Sequence, residues 1–226
     1  MVQFYLIPRW FFGYGLALEL IFAAITFAVA LYALLIYKYS RIRECKLFSL
    51  GFFLLSFSYL SWAAVGIYLF GQASSGTEIL SIDDVTLVAS LGVYGHIALF
   101  VLGLVTLTYM TLRKKAMKTF TLIASLSYIT IIFSTWKIIA FYFVSSLLLF
   151  YVVIYYIGEY AKNRKSTSLF VMLAFIFLFL GTADFAFSAA HHVNYVIGHV
   201  LHLIGYASIL VSFIETLRPL KYGKKT

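Results

Sequence analysis

The chain is dominated by long apolar stretches that are separated by short polar or basic segments. A helix that crosses a hydrocarbon core of about 30 Å needs roughly 20 apolar residues. Seven stretches of this kind predict membrane-spanning helices, at 11–37, 47–70, 86–111, 119–135, 138–160, 168–190 and 193–217. The fourth is the shortest, and the acidic, Gly/Ser-rich segment 71–85 is the one sizeable loop. We therefore predict an all-α, polytopic membrane protein whose residues 1–226 form a single transmembrane domain.

The composition excludes a water-soluble domain. Hydrophobic residues make up 63% of the chain and charged residues only 11%, whereas soluble domains are about half apolar and a quarter charged. The single cysteine, Cys45, excludes a disulfide framework and a cysteine-rich metal site. We find no Walker A loop, no G-x-S-x-G and no H-E-x-x-H, so no familiar soluble-enzyme motif is present. The scarcity of Asn and Gln is typical of thermophilic proteins.

The basic residues predict the orientation of the helices. Of the 17 basic residues, 15 fall in the segments 38–46, 112–118, 161–167 and 218–225, whereas Arg9 and Lys137 lie on the other side. The positive-inside rule then places the N-terminus outside and the C-terminus in the cytoplasm of a multi-pass cell-membrane protein. We interpret the net charge of +9 as a signal of membrane orientation and not as evidence of a nucleic-acid-binding site. The bilayer is the expected partner, and the basic face is where a cytoplasmic or membrane protein would dock.

Two parts of the sequence are alike. The third and seventh spans share a Gly-His pair, a later glycine and a Thr-Leu-Arg end, in the order Gly95-His96, Gly103, Thr111-Leu112-Arg113 and Gly198-His199, Gly205, Thr216-Leu217-Arg218. Aligning the second and sixth spans places Ser61 opposite Asp184. We predict two parallel repeats, at about 11–115 and about 136–218, joined by a linker helix at 119–135.

This 3+1+3 layout resembles that of the small sugar transporters called SWEETs. Those proteins carry a proline in the first helix of each repeat, whereas Pro8 and Pro219 lie outside the spans. Separately, the stretch YVIGHVLHLIGYASILVSF at 195–213 resembles the last helix of prokaryotic seven-helix sensor modules of the histidine-kinase input kind. The two resemblances imply a transporter and a membrane sensor, respectively.

Ionisable residues inside membrane spans are costly and are functional candidates by default. In this chain they are Glu19, His96, Asp184, His199 and His202, with His191 and His192 at the outer end of the sixth span. Counted from the outer ends of their helices, all lie within about 16 Å of the outer surface. The function is therefore expected in the outer half of the bundle.

A bound haem b is the leading hypothesis for this cluster. His96 and His199 are each preceded by glycine, which leaves room for a planar ring, and two imidazoles are the axial ligands of low-spin haem. His202 is the substitute ligand, and Glu19, Asp184, His191 and His192 would orient imidazoles or carry protons. The expected function is electron transfer or redox and ligand sensing.

The same residues allow other interpretations. His96, His199, His202 and Asp184 offer ligands for Zn or Cu. A zinc site would suggest an intramembrane hydrolase of the adiponectin-receptor and alkaline-ceramidase kind, although their last-helix motif is H-x-x-x-H and this chain has H-x-x-H. Without a metal, the cluster would serve a seven-helix receptor or a small-solute transporter. In the simplest case the histidines only hydrogen-bond neighbouring helices.

Overall fold

The computed structural model describes residues 11–75, 82–112, 116–188 and 192–222. Within these ranges the chain forms seven helices, α1 (Phe12–Ser40), α2 (Arg43–Ser75), α3 (Ile82–Thr111), α4 (Met117–Phe133), α5 (Lys137–Asn163), α6 (Ser166–Phe187) and α7 (His192–Tyr222). All except α4 contain segments that are long and apolar enough to cross a membrane, and α4 has only 17 residues. The all-helical class is confirmed, and α4 is the shortest helix, as expected. The number of membrane crossings stays a prediction.

Apolar side chains cover both the inner and the outer surfaces of the bundle. Val29 and Phe52 are completely buried, whereas Leu31 and Phe57 on the same helices are 42% and 52% exposed. A helix that is apolar on every side is expected in a membrane and not at a protein–water boundary. The molecule therefore suits a lipid bilayer and has the character of a multi-pass membrane protein.

Helices that follow one another in the sequence pack against one another. The first three, α1, α2 and α3, pack in order, and so do α5, α6 and α7. Contacts of α1 with α7 and of α3 with α5 join these two three-helix sets into a ring, and α4 lies against α3 and α5. The contacts correspond when α1, α2 and α3 are compared with α5, α6 and α7. The α1–α2 contact then corresponds to α5–α6, α2–α3 to α6–α7, and α1–α7 to α5–α3.

The turns after α1 and α5 are built alike. α1 is followed by Arg41, which has a φ of 57° and donates its N–H to the carbonyl oxygen of Tyr37. α5 is followed by Arg164, which has a φ of 49° and donates its N–H to the carbonyl oxygen of Tyr160. A positive φ is uncommon outside glycine, and in the described residues only these two non-glycine residues have one. The two arginines are 123 positions apart, as are Arg43 and Ser166, which begin the next helices.

The helix packing continues the same correspondence. A Cβ atom added to Gly103 in α3 would lie 3.0 Å from the carbonyl oxygen of Gly51 in α2. A Cβ atom added to Gly205 in α7 would lie 3.0 Å from the carbonyl oxygen of Ala174 in α6. Gly51 and Ala174 are again 123 positions apart, and the two helix-contact glycines are 102 apart. We call residues matched when they are 123 apart between α1–α2 and α5–α6, or 102 apart between α3 and α7. The repeat itself stays a prediction, which these contacts support.

One end of the bundle, which we call the basic end, contains the last turns of α1, α3 and α7. Arg43 at the start of α2 donates a hydrogen bond of 2.9 Å to the Tyr109 hydroxyl near the end of α3. Ser212 near the end of α7 donates one of 3.1 Å to the carbonyl oxygen of Thr167 at the start of α6. Several of the basic residues from which the orientation is predicted lie outside the described residues. These include Arg9, Arg113, Lys114, Lys115, Lys224 and Lys225.

Candidate functional site

A cavity of about 130 Å³, here called the histidine cavity, lies among the two three-helix sets, toward the end opposite the basic one. It brings together four residues predicted to be functional, Glu19, His96, His199 and His202. The remaining lining residues are Phe22, Tyr59, Trp62, Val93, Ile97, Phe100, Ile138, Phe141, Tyr142, Thr182, Phe185 and Tyr195. The cavity is the structural counterpart of the predicted polar cluster.

Of the other three candidate residues, only Asp184 has a described side chain. Asp184 lies one turn before the end of α6, is partly exposed, and is not among the residues that line the cavity. His191 lies outside the described residues, and for His192 only the backbone, as the first residue of α7, is described. Their predicted roles as orienting or proton-carrying residues stay predictions.

The two histidines of α7 have a defined tautomer. Nδ1 of His199 lies 2.9 Å from the carbonyl oxygen of Tyr195, and Nδ1 of His202 lies 2.9 Å from that of Gly198. A carbonyl oxygen only accepts hydrogen bonds, so Nδ1 carries the hydrogen in both rings. In the neutral imidazole Nε2 then has a free lone pair, and it lies on the ring edge that faces away from the helix.

His96 also carries its hydrogen on Nδ1, but its hydrogen-bond partner lies in a different helix. The Ser58 hydroxyl in α2 donates to the carbonyl oxygen of His96 at 2.9 Å. Nδ1 of His96 lies 2.8 Å from that hydroxyl oxygen and 3.1 Å from the Ser58 carbonyl oxygen, so it acts as the donor. Nε2 of His202 has a contact of 3.3 Å with Thr182 Oγ1. Among the described residues, Nε2 of His96 and of His199 has no protein partner.

Glu19 places a carboxyl group in the wall of this cavity. The residue is only 7% exposed, and Trp62 lines the same cavity. No lysine or arginine is among the lining residues. The ammonium group of Lys137 is directed at the carbonyl oxygen of Ser134, 3.5 Å away. Within the described part of the chain, Glu19 thus faces the cavity without a cationic partner.

The aromatic walls of the cavity do not stand out in the sequence. Eight of the 16 lining residues are Phe, Tyr or Trp. The signal that identifies them is the correspondence between the two helix sets, because 12 lining residues form six matched pairs. These pairs are Glu19–Tyr142, Tyr59–Thr182, Trp62–Phe185, Val93–Tyr195, Ile97–His199 and Phe100–His202. The cavity therefore lies where the two sets meet, with each set contributing corresponding positions.

The helix contacts do not match His96 with His199, although both follow a glycine. Ser58 contacts His96, and the residue matched to Ser58 is Gly181. A Cβ atom added to Gly198 would lie 3.0 Å from the carbonyl oxygen of Gly181, so Gly198 occupies the position of His96. A shift of one residue rotates a side chain by about 100° around a helix. Accordingly, among the described residues no aromatic ring contacts both imidazoles.

The geometry gives no support to a haem or metal site. In the described ranges, no group of three or more His, Cys, Asp or Glu side chains is placed to hold a metal ion. The volume of about 130 Å³ is also below the roughly 300–1,000 Å³ of typical cofactor pockets. Haem b would fit only if the helices separated. The haem b, Zn and Cu assignments therefore stay predictions.

A second cavity, of about 430 Å³, lies at the basic end between the same two helix sets. Ten of its 16 lining residues form matched pairs, which are Ile36–Glu159, Glu44–Thr167, Cys45–Ser168, Phe48–Val171 and Met110–Ser212. Lysine, glutamate and hydroxyl side chains line it. The second cavity thus lies at the same interface between the two helix sets as the histidine cavity.

Three aromatic side chains that line neither cavity separate the two spaces. We call Phe52, Phe175 and Tyr206 the aromatic layer; Phe52 and Phe175 are matched, and none of the three is more than 1% exposed. On the basic side, Phe48 stacks on Phe52 with ring centroids 4.6 Å apart. On the other side, Tyr206 contacts His202 at 5.8 Å. The layer therefore lies between the two cavities.

Comparisons with protein-family models, curated proteins and solved structures find no match to this chain. In the described residues, the histidine cavity and the second cavity both lie at the interface between the two helix sets, with the aromatic layer between them. The function is therefore proposed from this arrangement.

Proposed function

We propose that the protein is a membrane transporter of a small solute, built from two parallel three-helix repeats that are joined by α4. The main support for this proposal is the arrangement of the two cavities. Both are lined by matched residues, they lie at opposite ends of the interface between the repeats, and the aromatic layer separates them. In transporters built from repeats, the substrate site lies at the repeat interface and access alternates as one repeat rocks against the other. The histidine cavity is the proposed binding site.

The second cavity is the proposed route of release on the basic side. With the N-terminus outside, the basic end faces the cytoplasm. In the arrangement described above, the aromatic layer holds the binding site closed toward that side. Movement of one repeat against the other would displace Phe52 from Tyr206, whose ring centroids are now 6.5 Å apart, and would connect the two cavities.

Close contacts between small residues favour movement of whole repeats over movement of single helices. Gly103 against Gly51, and Gly205 against Ala174, bring backbones together within each repeat. Helices with small residues at their interface pack closely. We therefore expect the helices of one repeat to keep their relative positions. Between the repeats, the contacts of α1 with α7 and of α3 with α5 are less extensive. Each repeat is thus expected to move as one body.

Accessibility of the native cysteine tests this proposal. Cys45 is the only cysteine of the chain and lines the second cavity. In sealed vesicles of known orientation, a membrane-impermeant thiol reagent is expected to label Cys45 from the basic side only. The variant Cys45→Ser/Ser168→Cys moves the thiol to the matched position and should be labelled from the same side. The single variant Cys45→Ser controls for non-specific labelling. Labelling from the opposite side would overturn the proposed path.

Solute flux tests transport directly. Proteoliposomes that contain the protein are expected to take up a small solute faster than protein-free liposomes, and a saturating solute that binds the histidine cavity should slow the labelling of Cys45. Binding without flux would identify a receptor or sensor instead. Neither binding nor flux with any solute of a broad panel would refute the transporter.

A further inference from the structure

The imidazoles of the histidine cavity present hydrogen-bond acceptors to the space, and the hydroxyl groups of Tyr142 and Tyr195 in its lining can either accept or donate. Nδ1 of each imidazole donates to a neighbouring backbone or serine oxygen, which leaves the Nε2 lone pairs. The carboxyl group of Glu19 adds further acceptor oxygens. The Thr182 hydroxyl already donates to the carbonyl oxygen of Leu178 at 2.8 Å. A ligand with N–H donors therefore complements the imidazoles, and the tyrosine hydroxyls do not oppose it because they can also accept.

The rest of the wall favours a positive charge. Half of the lining residues are aromatic, and ring faces attract cations. Glu19 adds an acidic group, and none of the described lining residues is a lysine or an arginine that would oppose it. Cages of aromatic rings with a nearby carboxylate are a recurrent means of binding organic ammonium ions. Acceptors and aromatic rings thus select the same chemical class.

The volume limits the size of this ligand. A cavity of about 130 Å³ is close to the 150 Å³ of an apolar cavity that accommodates one benzene molecule. A cation with about five or six non-hydrogen atoms fits this space, whereas a nucleotide or a sugar does not.

We infer that the histidine cavity binds a small primary ammonium ion, whose N–H groups are accepted by Glu19 and by Nε2 of His96 and His199. This inference rests on the proposed function, because it names the substrate class of the same site. The aliphatic part of the cation would contact the rings of Phe22 and Phe185. No covalent step is involved.

Calorimetric binding to the purified protein tests the inference with three probes. These are n-butylammonium, neutral 1-butanol of the same length, and tetramethylammonium, which has the charge but no N–H. We expect n-butylammonium to bind about 10- to 100-fold more tightly than 1-butanol, as charge-assisted hydrogen bonds imply. Tetramethylammonium should bind more weakly than n-butylammonium. Equal binding of the alcohol would overturn the inference, and tighter binding of tetramethylammonium would overturn the role of the acceptors.

Variants at Glu19 separate recognition from folding. Glu19→Gln keeps the shape and is expected to lose the preference for the cation over 1-butanol, whereas Glu19→Asp should retain part of it. Glu215→Gln removes an acid that lines neither cavity and should bind like the unmodified protein. Thermal melting of each variant establishes that it is folded. An unchanged preference in folded Glu19→Gln would refute the inference.

Failure of the ligand class and failure of the transporter give different results. If n-butylammonium does not bind but another solute is carried and Cys45 is labelled from the basic side, the ligand class is wrong and the transporter stands. If n-butylammonium binds and is not carried into proteoliposomes, the ligand class stands and the transporter is wrong.

Discussion

The hydroxyl oxygens of Tyr59 and Tyr206 lie 2.8 Å apart and join α2 of one three-helix set to α7 of the other. Both side chains are buried, and their rings meet edge to face with centroids 5.9 Å apart. Tyr59 lines the histidine cavity, and Tyr206 belongs to the aromatic layer. The bond therefore connects the two sets at the point where the histidine cavity meets the aromatic layer.

Removing either hydroxyl tests this connection. Tyr59→Phe and Tyr206→Phe each eliminate the same hydrogen bond, so we expect the double variant to be no less stable than the less stable single variant. Hydrogen bonds between membrane helices average about 0.6 kcal/mol and reach about 1.7 kcal/mol, so the coupling free energy should fall in that range. It is measured as the free energy of unfolding in mixed micelles for all four proteins. Strictly additive losses would contradict the direct bond.

Shortening Phe52 should open a path between the cavities. Phe52→Leu leaves a smaller side chain in the aromatic layer, and Phe52→Ala leaves a larger gap. We expect passive flux of a small solute to rise from the original protein to the leucine variant and then to the alanine variant. Phe57→Ala is the control, because Phe57 lies on the same helix but is 52% exposed. If folded Phe52→Ala vesicles are as tight as the control, the layer does not form the barrier.

The helix-contact glycines should be intolerant of a methyl group. In Gly103→Ala and Gly205→Ala, the new Cβ atom would meet a backbone carbonyl oxygen of the neighbouring helix at 3.0 Å. We expect each to lower the free energy of unfolding by about 1–3 kcal/mol, the usual cost of overpacking. Gly158→Ala is the control, since nothing lies within 4 Å of its added Cβ atom. That change should be neutral or raise stability by about 0.5–1 kcal/mol, as for alanine in a helix interior. Similar effects at all three sites would refute the close packing.

The sequence predicts the helices well but places their ends less accurately. The second span is predicted at 47–70, whereas α2 runs from Arg43 to Ser75. Hydropathy identifies only the apolar stretch, while the backbone hydrogen bonds continue through polar residues until another conformation interrupts them. The left-handed residue Arg41 is such an interruption, and no residue preference at an arginine predicts it.

The candidate site was only partly predictable for a related reason. Glu19 and His202 stand out because ionisable residues are rare inside spans. Trp62 and Tyr142 do not stand out, because 19% of the chain is aromatic and most such residues serve as apolar surface. The register of His199 also depends on which residues of α6 and α7 touch. A Gly-His pair alone does not settle it, since a one-residue shift turns the imidazole to a different face.

The haem and metal hypotheses are decided by the visible spectrum and the metal content of one gently purified sample. From the cavity volume of about 130 Å³, and from the lack of a metal-holding group among the described residues, we expect no Soret band and no stoichiometric zinc or copper. Incubation with haem b before the measurement controls for expression in a haem-poor host. A Soret band that disappears in His96→Ala and in His199→Ala would establish haem ligation and refute our expectation. One zinc per chain that is lost in His202→Ala would instead favour the intramembrane hydrolase.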